Sequence, residues 1–117
     1  PNPEAQFSPI LVADRLDGFN QAINPQEDFS SPDGRLFGAF SYNNLQDGVR
    51  WTAIWYFNQQ VICLETLAWD GGTGGYGYTE CEQDPWLPGR YEIQLFFADE
   101  WKGSANFEVL KQEEGTG

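Results

Sequence analysis

Four aromatic residues stand around one glycine-rich stretch. Trp69 opens the run Trp69-Asp70-Gly71-Gly72-Thr73-Gly74-Gly75-Tyr76-Gly77, Tyr78 follows it, and Trp86 lies a few positions on. Flat rings on the rim of a β-fold can stack on pyranose rings, anchor a protein interface or close the end of a core. Their types and spacing leave all three open. Asp70, Glu80, Glu82 and Asp84 share this window. Carboxylates beside carbonyls freed by glycine suit calcium, which takes about six to eight oxygens. The spacing matches no EF-hand loop, and a solvated acidic surface is the plainer expectation. Residues 72–77 also satisfy G-x-G-x-x-G. A dinucleotide site requires that spacing between a strand and a helix N-terminus. Tyr78-Thr79-Glu80-Cys81 does not start a helix, and no basic residue is near. The nucleotide reading is therefore set aside in favour of a long mobile loop.

Cys63 and Cys81 are the only cysteines. An even count in a small chain rich in Gly and Trp fits a disulfide made in an oxidising compartment, the alternative being two buried thiols. A catalytic thiol is not expected, because the chain has no histidine to activate it and its neighbourhood is acidic. The lack of histidine also removes Ser-His-Asp triads, haem His ligation, blue copper and His-bearing zinc sites. Two thiolates are too few for an all-cysteine zinc site. Carboxylate pairs for glycoside hydrolysis need a cleft, and a domain this small shows no sign of one. A non-catalytic module is expected, with no cofactor unless calcium is bound.

The net charge is −12, from 6 Lys/Arg against 18 Asp/Glu. Such a surface repels nucleic-acid phosphates and anionic membranes and favours cations and basic surfaces; it also simply keeps a protein dispersed. No Lys or Arg lies between Arg50 and Arg90, where Glu65 joins the four acids named above. One face should be locally negative. No apolar run approaches a membrane span. The chain begins at Pro1 and lacks Met, as a processed form or an excised piece would. The absence of Asn-x-Ser/Thr mildly favours a bacterial source.

The elements that would position these residues are strands. The 117 residues make one domain, with 1–8 an extended arm and 111–117 a flexible tail. Ile10–Leu16 alternates as a first strand, and a short one is possible near Glu27–Ser30. Ser31-Pro32-Asp33-Gly34 is a turn, followed by a strand over Arg35–Tyr42. Arg50–Phe57 is the clearest strand, with Trp51, Ala53, Trp55 and Phe57 on one face, and it turns at Asn58-Gln59 into Val61–Leu67. Tyr76–Cys81 regains extended structure. Arg90–Ala98 puts Tyr91, Ile93, Leu95 and Phe97 inward. Trp101–Leu110 closes the chain, with Trp101, Gly103, Ala105, Phe107 and Val109 as its alternating set. No stretch has a helical period. About seven strands with frequent turns predict an antiparallel β-sandwich.

The run Trp86-Leu87-Pro88-Gly89-Arg90-Tyr91-Glu92-Ile93-Gln94-Leu95 resembles the approach to strand F in fibronectin type III and related immunoglobulin-like domains. The resemblance implies that the Tyr91 hydroxyl bonds back to the corner backbone and that Trp51 or Trp55 is the core tryptophan. The closing segment, Trp101 to Val109, is similar to the last strand of accessory sandwich domains of bacterial secreted or membrane-anchored proteins. The cysteines depart from the immunoglobulin pattern, so no immune or receptor role is carried over. The resulting expectation is an extracytoplasmic binding or adhesion module that meets a protein partner through the acidic, aromatic rim. Two alternatives stand beside it. One is a subunit of an extracellular assembly, in which a segment such as Ala5–Leu16 lies on its own sheet or adds to a neighbouring copy. The other is a carbohydrate-binding module stacking sugars on Trp69, Tyr76, Tyr78 and Trp86.

Overall fold

The computed structural model describes residues 5–111, and among them there are nine strands and no helix. These are β1 (Gln6–Phe7), β2 (Leu11–Ala13), β3 (Asp28–Ser30), β4 (Gly34–Asn43), β5 (Arg50–Phe57), β6 (Gln60–Ala68), β7 (Gly75–Gln83), β8 (Gly89–Phe97) and β9 (Glu100–Leu110). In one sheet β1 and β2 pair in succession with one edge of β4, while β7 takes the other edge. The second sheet has the order β3-β9-β8-β5-β6. All pairings are antiparallel except β3 on β9.

The two sheets close on one core because each long strand alternates. Leu36, Phe40 and Tyr42 of β4 face Trp55 of β5, Ile93, Leu95 and Phe97 of β8, and Phe107 and Val109 of β9. Period-two burial of this kind turns a run of apolar residues into one face of a pleated sheet. It is clearest in β8, where Tyr91, Ile93, Leu95 and Phe97 are buried and the residues between them are not. Trp55 is the central tryptophan, and its indole N–H donates to the buried Thr79 hydroxyl of the opposite sheet at 2.9 Å. Tyr91 stacks on Phe107 with ring centroids 5.0 Å apart.

The expected corner is present: the Tyr91 hydroxyl donates to the Leu87 carbonyl at 2.6 Å. Burial is the first cause of the raised Tyr91 pKa, and the Leu87 bond opposes it. Tyr91→Phe keeps the ring and removes the donor. It should cost about 1–2 kcal/mol, since the carbonyl loses its partner. A shift of the urea midpoint checks this; an unchanged midpoint would make the bond irrelevant to stability.

The strand expectations need several corrections. The described residues contain nine strands rather than about seven: β1 is an addition, and the possible short strand near Glu27–Ser30 is present as β3. The first strand shrinks from Ile10–Leu16 to Leu11–Ala13, because Leu16 instead closes a small loop by a bridge to Ala22. Trp101 does not point inward. The β8–β9 register jumps from Leu95↔Gly103 to Phe96↔Trp101, leaving Lys102 as an extra residue. A bulge shifts the phase of the strand by one, so Trp101 lies on the outer face and is 59% exposed. Of the expected arm, residues 5–8 include β1, which lies on the chain's own sheet. Residues 1–4 and all of the expected tail beyond Lys111 lie outside the described residues.

Candidate functional site

Cys63 on β6 and Cys81 on β7 form a disulfide across the sandwich, with Cα atoms 6.0 Å apart. β6 is the last strand of the five-stranded sheet and β7 borders the other. The bond therefore ties two open edges on the same flank. Beside it runs a groove of about 480 Å³, with Trp69 and Tyr42 at its base. Glu65 and Leu67 come from β6, Tyr76, Tyr78 and Glu80 from β7, and Asp70 from the loop between them.

That loop is fixed rather than free. Trp69 exchanges backbone hydrogen bonds with the 45–49 turn, its N–H donating to the Val49 carbonyl and its carbonyl accepting from Gly48, both at 2.8 Å. The Trp69 indole N–H donates to the Gly72 carbonyl at 2.8 Å, the Gly72 N–H donates to Asp47 at 2.8 Å, and the Tyr42 hydroxyl donates to the Gly71 carbonyl at 2.6 Å. Glycine is required here for close approach. A Cβ on Gly71 would lie 2.8 Å from both the Trp69 ring and the Tyr42 hydroxyl. The expectation of a long mobile loop is replaced by a loop wrapped around a tryptophan.

The four predicted aromatics are not one cluster. Trp69 is 5% exposed and packs edge-on to Tyr42, Trp51 and Phe97. Trp86 is also 5% exposed, but it packs on Trp55, Tyr91 and Phe107 at the other end of β5, its N–H donating to the Gly34 carbonyl at 2.7 Å. Neither ring presents a face for stacking a sugar, since both are used by the core. Tyr76 and Tyr78 are exposed at 47% and 39%. Their register opposite Ser41 and Ala39 places them on the outer face of the four-stranded sheet, where Phe37 meets the Tyr78 ring edge-on. The Asn20 amide donates to the Tyr76 carbonyl at 3.4 Å, bringing the 17–21 turn to the same lip.

The predicted acids also separate. Glu80 and Glu82 flank Arg35, with contacts of 3.6 Å each. These exposed pairs contribute little energy, but they occupy the two carboxylates. Asp84 is exposed in the β7–β8 connection, before a cis peptide to Pro85. Among the described residues no three acids or cysteines converge as a metal-ligand group, and the four acids weighed as calcium ligands do not form one. Glu65 and Asp70 make no ion pair among the described residues and leave the groove negative. The Tyr42 pKa is raised first by burial, then by Asp47 and Asp70. Glu65, Leu67 and Asn20 were not predicted site residues. Glu65 had a sequence signal, as an acid in the stretch without cations; Asn20 had none, because only the fold of the 17–21 turn brings it near.

No protein-family model matches this chain, and no curated protein matches its sequence. Among solved structures it is similar to a DNA-bound alkylpurine DNA glycosylase AlkC of Pseudomonas fluorescens, with a TM-score of 0.55 and 14% identity. The match covers 92% of this chain and 31% of that one. A β-glucosidase of Listeria innocua in complex with glucose matches at a TM-score of 0.45 and 10% identity, over 92% of this chain and 16% of that one. The chain thus spans under a third of either neighbour's length. The first likeness carries the two-sheet fold and nothing of DNA chemistry, because fold does not determine function.

Proposed function

We propose that this chain is a non-catalytic, immunoglobulin-like or fibronectin type III-like binding module of an extracytoplasmic protein. We assign its partner-binding site to the β6–β7 groove and its partner to a protein segment rich in Lys and Arg. The groove carries this reading. Glu65 and Asp70 wall it without an ion pair among the described residues, Glu80 joins them already shared with Arg35, and exposed Tyr76 and Tyr78 edge it. Carboxylates beside tyrosine rings favour cationic side chains by charge and by cation–π contact. The strand order, with β4 and β7 in one sheet and β9-β8-β5-β6 in the other, supports the immunoglobulin-like reading, as does the Tyr91 corner. The disulfide fits an oxidising compartment. No helix among the described residues is long and apolar enough to cross a membrane.

A panel of Lys/Arg-rich peptides, titrated by calorimetry, tests the groove. Tyr76→Ala combined with Tyr78→Ala should weaken binding about tenfold, on the order of 1.4 kcal/mol, and added salt should weaken wild-type binding. Wild-type protein that binds no basic peptide, or a double variant that binds equally well, would overturn the assignment. The strand-addition alternative has less support. Residues of β1 and β2 already pair with β4 of the same chain and would have to leave it before being donated.

A further inference from the structure

The outer face of the five-stranded sheet has a composition unlike the rest of the molecule. In register across β6, β5, β8 and β9 it shows three rows: Thr66, Thr52, Phe96 and Trp101; Leu64, Ile54, Gln94 and Ser104; Val61, Tyr56, Glu92 and Asn106. These central rows contain one charge, Glu92, and the same face continues to Arg50 beyond Thr52 and to Arg90, Glu108 and Asp28 beyond Glu92. Trp101 is 59% exposed and Leu64 64%. The polar groups are ordered. The Trp101 indole N–H donates to the Gln94 carbonyl oxygen at 2.6 Å, and the Gln94 amide donates to the Glu92 carboxylate. Beyond Glu92 the face runs into a hollow of about 350 Å³ lined by Tyr56, Asn58, Gln59, Arg90, Glu92 and Asn106.

We infer that this face is a binding platform for a neutral polysaccharide chain. It is independent of the β6–β7 groove. Trp101 on β9 and Tyr56 on β5 flank β8 at positions four residues apart, about 13 Å along the strands and about 10 Å across them, or about 16 Å in all. That separation spans an oligosaccharide rather than a single sugar. A pyranose presents C–H faces to aromatic and aliphatic side chains and hydroxyl edges to planar amides and carboxylates. The face alternates in the same way, with Trp101, then Gln94 and Ser104, then Tyr56 beside Glu92 and Asn106. An apolar protein surface laid here would strip water from Gln94, Glu92 and Asn106 without replacing their hydrogen bonds. A glycan supplies a hydroxyl to each. The low charge of the central rows favours a neutral chain, and the net charge of −12 disfavours an anionic one.

Native gels cast with hydroxyethylcellulose, laminarin, arabinoxylan or galactomannan test this, with alginate as the anionic probe. At least one neutral polymer should retard the protein, and alginate should not. Trp101→Ala and Gln94→Leu should each weaken that retardation tenfold or more, whereas the Tyr76→Ala/Tyr78→Ala variant should migrate as wild type. Thermal unfolding establishes that each variant is folded; should Trp101→Ala fail, Gln94→Leu and Tyr56→Ala decide. No retardation by any neutral polymer would overturn the inference. So would Trp101→Ala behaving as wild type, or loss of retardation only in the tyrosine pair.

Discussion

Trp55→Ala should remove about 3–5 kcal/mol of stability, the range for truncating a buried tryptophan. Domains of this size have roughly 5–15 kcal/mol in total, so much of the fold's margin would go. Trp55 is 1% exposed and contacts Trp86 and Phe107, so its loss opens a cavity between three elements. It also leaves the Thr79 hydroxyl, 3% exposed, without its indole donor. Two further variants separate packing from hydrogen bonding. Trp55→Phe keeps most of the volume and loses the donor; Thr79→Val keeps the volume of its own site and loses the acceptor. Each should cost about 1–3 kcal/mol, the penalty for a buried polar group left unpaired. The double variant should cost less than their sum by about 1 kcal/mol, because the two residues touch. Urea unfolding followed by far-ultraviolet circular dichroism is the suitable measurement, since the fluorophore itself changes. A Trp55→Ala variant within about 0.5 kcal/mol of wild type, the range of ordinary surface changes, would remove Trp55 from the centre of the core.

The core was legible in the sequence because alternation is a local property. Tyr91, Ile93, Leu95 and Phe97 were readable as an inward set, and Arg50–Phe57 matched its strand residue for residue. Trp101 was misread for a reason that alternation cannot supply. One extra residue at Lys102 reverses the face of everything before it in β9; Gly103 is the one local sign of a bulge, and it does not say which neighbour is the extra residue. Lys102 has a physical reason to sit there. Its ammonium lies 3.3 Å from Glu100 and reaches the Ala5 carbonyl at 3.5 Å, with its side chain 15% exposed.

The site was legible in part. Tyr76, Tyr78, Asp70 and Glu80 line one groove, but Trp69 and Trp86 share their chemistry with exposed platforms and are buried. A tryptophan in a loop has the same sequence appearance whether it caps a core or meets a ligand. The glycines around Trp69 are the clue in hindsight: Gly71 leaves no room for a Cβ beside that ring, and Gly77 only a tight fit against Phe40 and Trp69, as packing demands and stacking on a ligand does not. Glu80 and Glu82 looked like free ligands because Arg35, far away in sequence, becomes their neighbour only when β4 pairs with β7.

Reduction of the Cys63–Cys81 bond should cost about 3 kcal/mol, the loop-closure entropy returned to the unfolded chain for a sequence separation of 18. The denatured state then expands, so the urea midpoint should fall while the slope of the transition rises. The native state should respond locally. Among the described residues β6 pairs only with β5, and β7 only with β4, so apart from the wrapped 69–74 loop the disulfide is what spans the edges on that flank. Amides of β6 and β7 should exchange faster on reduction, while those of β8, paired on both sides, should keep their protection. The groove between β6 and β7 should widen and bind basic peptides more weakly, whereas the glycan contacts of Trp101 and Gln94 on β9 and β8 should persist and only those of the β6 positions should weaken. Cys63→Ser/Cys81→Ser is the companion variant. It should be less stable than the reduced protein, because it also places a polar hydroxyl at Cys81, which is 2% exposed opposite Leu36. A midpoint and slope both unchanged on full reduction would show that the loop-closure term does not govern this fold. Faster exchange spread evenly over all strands would show that the bond stabilises the molecule globally rather than holding the groove.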